Sequence, residues 1–256
     1  LREFPDYRCG ILLCCMCIGP ETVNMQENLQ TVRLTRQYLG SGVVGLDLAG
    51  AEGIVPLENF HPIFDLAREL SLPFTCHAGD SQGPETVRAA LDFGAKRIGH
   101  GHHIYDDPTL WPRAIRQGVT LEICPTSNIQ CKTQPSYALH RAKRLLDAGL
   151  RVTFGIGATD IAENDQIRVT PVDECLRQAE ELYHKWHGRG LLRTAAVPQG
   201  RPACTPELMR ALKQFARERG LLYHTHLAEG KAETEHIRAW TGRGEAEELA
   251  HLGVLD

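Results

Sequence analysis

The chain has 256 residues, of which 42% are hydrophobic and 23% are charged, and its formal net charge is -4. This length fits one large α/β barrel domain or two small domains, each with a substantial core. The negative charge and the lack of a basic run argue against a nucleic-acid partner. The lack of about 18 consecutive apolar residues argues against a membrane span. Nine cysteines, mostly in apolar strand-like runs, favour reduced thiols and a cytoplasmic location.

Short apolar runs alternate with helical patterns over the first 155 residues. The predicted strands are 12–16, 43–48, 72–80, 97–100, 119–124 and 152–155. The predicted helices between them are 21–39, 57–70, 84–93, 108–116 and 140–148. Regular alternation of this kind predicts a parallel sheet, because each return to the same sheet edge needs a crossover helix.

The pattern of the sequence changes near Gly157, because residues 156–169 are polar and show no regular apolar spacing. Two helices then begin at Thr170 and Thr205, each a capping residue followed by Pro. Strands are predicted at 191–197 and 221–226, and a final helical segment at 231–252 has a break near Gly242. Eight strand candidates predict a (β/α)8 TIM-like barrel, in a complete, an incomplete or a chimeric form. A doubly wound open sheet is the alternative, although no GxGxxG follows a strand.

Chemically active side chains lie where several predicted strands end. They are Gly50, His77, Asp80, His100, Asp160, His224, His226 and Glu229. The carboxyl ends of parallel barrel strands meet at one mouth, so these residues are expected to converge. Histidines with nearby carboxylates suit metal-activated water and proton transfer. For His77 and Asp80, the alternative is a strand-end histidine that is satisfied structurally, beside a helix-capping Asp.

Four motifs resemble the adenosine deaminase family in order and spacing. They are GLDLAGAE at 45–52, FTCHAGD at 74–80, RIGHGHH at 97–103 and LEICPTSN at 121–128. The resemblance covers roughly residues 7–155. It implies a zinc-dependent amidohydrolase with a (β/α)8 barrel, which hydrolyses the 6-amino group of adenosine to give inosine and ammonia.

The resemblance also implies a role for four of the strand-end residues. His77 would be a zinc ligand, and Asp80 would donate a proton to the purine ring. His100 would orient the zinc-bound water and help to deprotonate it. Gly50 would contact the purine through its backbone.

The chain departs from the family pattern at four places. Asp80 stands where the family has Glu, and Cys17 stands where a basic residue is expected. No His-x-His zinc pair precedes Leu12, so the chain is expected to begin just before the third barrel strand. The zinc-binding Asp that normally ends the last strand has its counterpart in Asp160, displaced by three residues.

The segment 156–256 resembles a different branch, the guanine deaminase and chlorohydrolase group. The motifs are WHG at 186–188, TPEL at 205–208 and HTHLAE at 224–229. This resemblance implies that His226 is a metal ligand and Glu229 a proton shuttle. We therefore expect one amidohydrolase-type barrel over 1–256, with an adenosine deaminase-like part at 1–155 and a second type at 156–256. If the barrel closes, His224 and His226 would complete a zinc site with His77 and Asp160.

Three functions follow from these patterns. The first is a zinc-dependent hydrolytic deaminase whose small-molecule partner is a purine nucleoside or base. The second is an incomplete or fused amidohydrolase barrel with little or no catalysis. The third is a guanine-type aminohydrolase in which the C-terminal part supplies the acid.

Overall fold

Strands and helices alternate along the chain in this computed structural model, which describes residues 10–19, 23–162 and 169–255. The described residues divide into two units. The first unit holds residues 10–19, 23–123 and 138–153, and the second unit holds residues 124–137, 154–162 and 169–255. The predicted α/β class is confirmed.

Parallel strands form the centre of the first unit. They are β1 (Ile11–Cys17), β2 (Val43–Gly50), β3 (Thr75–Ala78), β4 (Arg97–His100) and β5 (Thr120–Ile123). β1 pairs with β2, and β3, β4 and β5 are neighbours in that order. An isolated parallel bridge between Leu46 and Phe74 connects β2 with the residue just before β3. The carboxyl ends of β3 and β4 therefore lie side by side.

Helices follow most of the strands, as the alternation predicts. In the described residues they are α1 (Met25–Tyr38), α2 (His61–Glu69), α3 (Pro84–Phe93), α4 (Leu110–Gln117), α5 (Pro125–Gln130), α6 (Ala142–Asp147), α7 (Val172–Trp186), α8 (Pro206–Arg219), α9 (Lys231–Thr241) and α10 (Glu245–His251). The predicted helix 57–70 begins with a 3-10 turn, Leu57–Phe60. A second 3-10 turn, His102–Asp106, and α5 were not expected from the sequence. Gly94 ends α3 in a left-handed conformation with φ 89°, which glycine adopts without strain.

An aromatic cluster packs α2 against its neighbours in the first unit. Phe64 of α2 is fully buried. Its ring stacks on Phe93 of α3 with centroids 4.4 Å apart and meets Phe74 at 5.0 Å. Ile63 and Ala67 of α2 are also fully buried, so the 3.6-residue spacing of apolar side chains forms the buried face, as expected.

The second unit continues the pattern with shorter strands. β6 (Arg151–Ala158) begins in the first unit and ends in the second, where β7 (Leu192–Pro198) and β8 (Leu222–Tyr223) follow. Its core is built largely from α7 and α8, with Ala179, Leu208 and Leu212 fully buried. Thr205 caps α8 as predicted, because its side chain accepts a hydrogen bond from the Leu208 backbone N–H.

Several element boundaries differ from the prediction, and two of these differences concern β6 and β8. β6 continues to Ala158, so residues 156–158 of the predicted irregular segment belong to a strand. The predicted strand 221–226 is only Leu222–Tyr223. Beyond it the chain still follows β7, since His224 N donates to Ala196 O at 2.9 Å, but the ladder is not continued.

The strands do not close into a barrel within the part of the chain that the structure describes. At one end β1 has β2 as its strand neighbour, and at the other the two-residue β8 has β7. No helix among the described residues combines the length and the apolarity that a membrane crossing requires.

Candidate active site

The ends of β3 and β4 bring two predicted site histidines together. His77 lies on β3, His100 ends β4, and the register pairs Ala78 with His100. The imidazole rings meet edge to face with centroids 5.2 Å apart. The backbone turns at this point in the left-handed region, with φ 60° at His100 and 67° at Gly101. A side chain in that region is uncommon, and such strain is concentrated at functional sites.

Asp80 lies between two imidazoles just after β3. Its Oδ1 is 3.3 Å from Nδ1 of His100 and 3.3 Å from Nε2 of His102. His102 begins the 3-10 turn after β4, and its side chain is fully buried. The structure thus brings the predicted residues Asp80 and His100 into contact and adds His102 to them.

Burial and nearby charges shift the pKa values of these imidazoles. Desolvation lowers the pKa of His100 to about 4 against the opposing charge of Asp80, and it lowers the pKa of His102 as well. For His77, desolvation also lowers the pKa, but nearby carboxylates, Asp47 first among them, outweigh it and the pKa is raised. At neutral pH, His100 is therefore a neutral hydrogen-bonding partner of Asp80.

A second carboxylate contacts His77 from the neighbouring strand. Oδ2 of Asp47, on β2, lies 3.3 Å from Nδ1 of His77. The His77 side chain keeps 36% of its surface exposed, so a ligand can still reach the ring. The Asp47 carboxylate thus lies against the imidazole that the sequence predicts as a metal ligand.

A cavity of about 220 Å³ adjoins His77 in the first unit. Its lining includes Cys17, Leu48, Gly50 and Thr86. Gly50 has φ 115°, and a Cβ added there would lie 2.6 Å from the carbonyl oxygen of Cys17, so the position requires glycine. The predicted purine contact Gly50 and the predicted ligand His77 therefore line the same cavity.

The remaining predicted residues lie in the second unit. Asp160 accepts hydrogen bonds from the Thr205 backbone N–H at 2.7 Å and from the Thr205 hydroxyl. His226 donates from Nδ1 to the carbonyl oxygen of Gln199 at 2.6 Å. His226 and Glu229 line a cavity of about 380 Å³. His224 follows β8, and its backbone continues alongside β7.

The chain offers donors of the kind that bind zinc, but the structure does not group them. Residues 10–19, 23–162 and 169–255 contain no cluster of three or more His, Cys, Asp or Glu arranged to hold a metal ion. A zinc site in a protein uses three or four such ligands. The described residues therefore do not fit the ion, and zinc ligation by His77, Asp160, His224 and His226 stays a prediction.

Two family models match this chain. The adenosine deaminase family model matches residues 5–168, and the amidohydrolase family model matches residues 112–256. Each match covers more than half of the chain.

The chain belongs to the adenosine deaminase and amidohydrolase families.

The resemblance to the adenosine deaminase family is therefore confirmed, and for the C-terminal part the broader amidohydrolase family is confirmed. An adenosine deaminase of Haemophilus ducreyi is 41% identical over 180 residues, which are 69% of this chain and 50% of the relative. An adenine deaminase of Chelativorans sp. is 43% identical over 137 residues, which are 53% of this chain and 41% of the relative. The chain thus spans about half or less of the length of these family members.

A solved amidohydrolase supports the fold. The crystal structure of an amidohydrolase from Burkholderia ambifaria, determined with bound Zn, is similar with a TM-score of 0.52 at 19% identity. The similarity covers 94% of this chain and 57% of that chain. It confirms the amidohydrolase-type α/β fold class.

Three residues of the family site received no role from the sequence. Asp47 and Glu52 lie inside the 45–52 motif, and His102 lies inside the 97–103 motif, yet the structure places all three against predicted site residues or their backbone. The sequence does offer one sign of their importance: each of these three residues lies near the end of a predicted strand, inside a motif that resembles the family. Their partners are distant in sequence, so the motif alone does not say what they contact.

Proposed function

We propose that this chain is a hydrolytic purine deaminase of the adenosine deaminase type, acting on adenosine. The observation that carries the proposal is Asp80 held between His100 and His102, next to a cavity lined by Gly50 and His77. The relatives named adenosine deaminase and adenine deaminase support a purine as the substrate.

Each residue of this arrangement has a part in the proposed reaction. The cavity binds the purine, with the Gly50 backbone against the ring. Asp80 donates the proton that the ring nitrogen needs before the amine can leave. His100, neutral at pH 7, orients the attacking water by a hydrogen bond. General acid and base groups of this kind typically contribute about 10²–10⁴-fold in rate.

No step of this proposal runs through zinc, because the described residues do not form a three-ligand group. Family membership and a relative solved with bound Zn are consistent with a metal cofactor. Ligation by His77, Asp160, His224 and His226 stays a prediction from the sequence. The cytoplasmic location and the absence of nucleic-acid and membrane partners also stay predictions.

The direct test is deamination of adenosine, adenine and AMP, followed by ultraviolet absorbance, in wild type and Asp80→Asn. Asp80→Asn removes the transferable proton at almost constant shape, so we expect kcat to fall by about 100-fold or more. The matched control is Asp92→Asn, which changes an exposed carboxylate on α3 that pairs with Arg113. Wild-type turnover that Asp80→Asn leaves intact contradicts the proposal. No turnover of any of the three purines favours the incomplete-barrel function.

A second candidate, the guanine-type aminohydrolase, is favoured by one observation: His226 and Glu229 share the 380 Å³ cavity of the second unit. Glu229→Gln discriminates between the two. We expect it to leave adenosine deamination within about twofold of wild type, because the working acid is Asp80. Loss of guanine deamination in Glu229→Gln, with Asp80→Asn unaffected, would instead identify the second unit as the active one.

A further inference from the structure

We propose that Glu52 is a positioning residue of this site: its carboxylate holds residues 79–82, here called the acid segment, and so sets the position of Asp80. The anchoring follows from the geometry of the first unit. Its consequence for turnover rests on the proposed function.

The carboxylate of Glu52 accepts hydrogen bonds from successive backbone N–H groups of the acid segment. Gly79 N donates to Oε1 at 2.6 Å, and the donors to Oε2 are Asp80 N at 3.0 Å, Ser81 N at 2.8 Å and Gln82 N at 3.4 Å. A concave run of backbone N–H groups is an anion-binding arrangement, and bonds to a charged acceptor are about twice as strong as neutral ones. The acid segment is thus wrapped around one carboxylate.

Thr86 joins the same network from α3. Its hydroxyl is 2.8 Å from Oε1 of Glu52, and Gly79 N donates to the hydroxyl oxygen at 2.8 Å. The Thr86 side chain is buried. Gly79 is therefore held by both Glu52 and Thr86, and it immediately precedes Asp80.

The turn after β2 is shaped to fit the acid segment. Gly53 has φ 91°, and a Cβ added there would lie 2.2 Å from Nε2 of Gln82. A larger residue at position 53 would displace the Gln82 side chain and would be strained at this positive φ. Close contact here brings Glu52 within reach of the N–H groups.

The hydrogen bonds that Glu52 accepts from the protein favour a positioning role over a substrate-binding one. A carboxylate has about four lone-pair sites. Gly79 N and the Thr86 hydroxyl use Oε1, and Asp80 N and Ser81 N use Oε2, all within 3.0 Å. Although Glu52 lines the cavity, both of its carboxylate oxygens therefore already accept hydrogen bonds from the protein.

The position of the acid segment matters because Asp80 must reach two imidazoles at once. Both contacts, to His100 and to His102, are made by one oxygen. A displacement of about 1 Å in a reacting group can cost about a hundredfold in rate. Glu52 thus acts through Asp80 rather than on the substrate.

The anchoring is tested by hydrogen exchange of the acid-segment amides in the intact chain. Glu52→Gln keeps the side-chain shape but turns one acceptor into a donor, so we expect exchange there to become at least about tenfold faster, because the protecting bonds are lost. Glu69→Gln, an exposed carboxylate at the end of α2, is the matched control and should exchange like wild type. Glu52→Asp keeps the charge with a shorter arm and should give an intermediate rate, which decides the question if Glu52→Gln does not fold. Unchanged exchange in the folded variants overturns the proposal.

The consequence for turnover is tested by a double-mutant cycle with Asp80→Asn. We expect Glu52→Gln to lower kcat by about 10–100-fold with KM within about threefold of wild type. In the Asp80→Asn background it should have no further effect, because it acts through that acid. An equal loss in both backgrounds, or a change confined to KM, overturns the positioning role. If wild type deaminates no purine, the proposed function fails, while the exchange rates still decide the anchoring.

Discussion

His140 accepts a hydrogen bond at Nδ1 from the backbone N–H of Ala142, at 3.1 Å. An imidazole can accept at Nδ1 only when that nitrogen carries no proton. Burial, with the neighbouring His102 and Arg141, lowers the pKa of His140 to about 4. At the residue scale, the first unit therefore needs this histidine in its neutral form.

Acidification should destabilise the protein through His140. Between about pH 6.5, the ordinary histidine pKa, and about pH 4, the unfolded chain binds a proton that the folded chain excludes. Above about pH 6.5 this residue does not lower the free energy of unfolding. As the pH falls through the window, the free energy of unfolding decreases, by at most about 3 kcal/mol from this residue. In His140→Asn, whose Oδ1 can accept the same N–H, we expect a shallower pH dependence in urea unfolding.

The other buried histidines, His100 and His102, are present in both proteins, so the comparison isolates His140. His184→Asn serves as the control, because that histidine is exposed on α7 and its replacement should leave the slope unchanged. Equal slopes for wild type and His140→Asn would contradict the prediction.

At the scale of elements, aromatic packing joins α2 and α3. Phe64 is the centre of the cluster, since it contacts both Phe93 and Phe74 and has no exposed surface. Phe93 of this cluster belongs to α3, the helix that follows the acid segment. Its integrity therefore supports the position of α3, and with it Thr86.

Truncation of Phe64 should cost much of the stability of the first unit. We expect Phe64→Ala to lower the free energy of unfolding by about 3–5 kcal/mol, through lost burial and the cavity left behind. Phe64→Leu fills most of that space and should cost less. Ile115→Ala, at a position 43% exposed on α4, should stay within about 1 kcal/mol of wild type. Urea denaturation measures all three, and equal losses for Phe64→Ala and Ile115→Ala would contradict the packing argument.

At the scale of the whole molecule, the question is whether the dispersed ligands hold zinc. A tight site needs at least three protein ligands, and the described residues group none. We expect the purified chain, after dialysis against metal-free buffer, to retain well under one zinc by elemental analysis.

The controls for this measurement are His77→Ala and His184→Ala. One zinc per chain that persists through dialysis, and that is lost in His77→Ala but not in His184→Ala, would contradict the expectation and show that a complete site forms around His77. Zinc bound equally weakly by all three proteins would agree with it.

Local patterns in the sequence determined the elements and the family. Apolar periodicity and the Gly and Pro boundaries depend on near neighbours, so they located the eight strands and most helices, and the strand-end rule located His77, Asp80 and His100. The tertiary structure alone decided what these residues touch. Glu52 meets the backbone of Asp80 across 28 positions of chain, and His102 meets the Asp80 carboxylate across 22. The short length of β8 is likewise decided by pairing between distant segments, which no local pattern encodes.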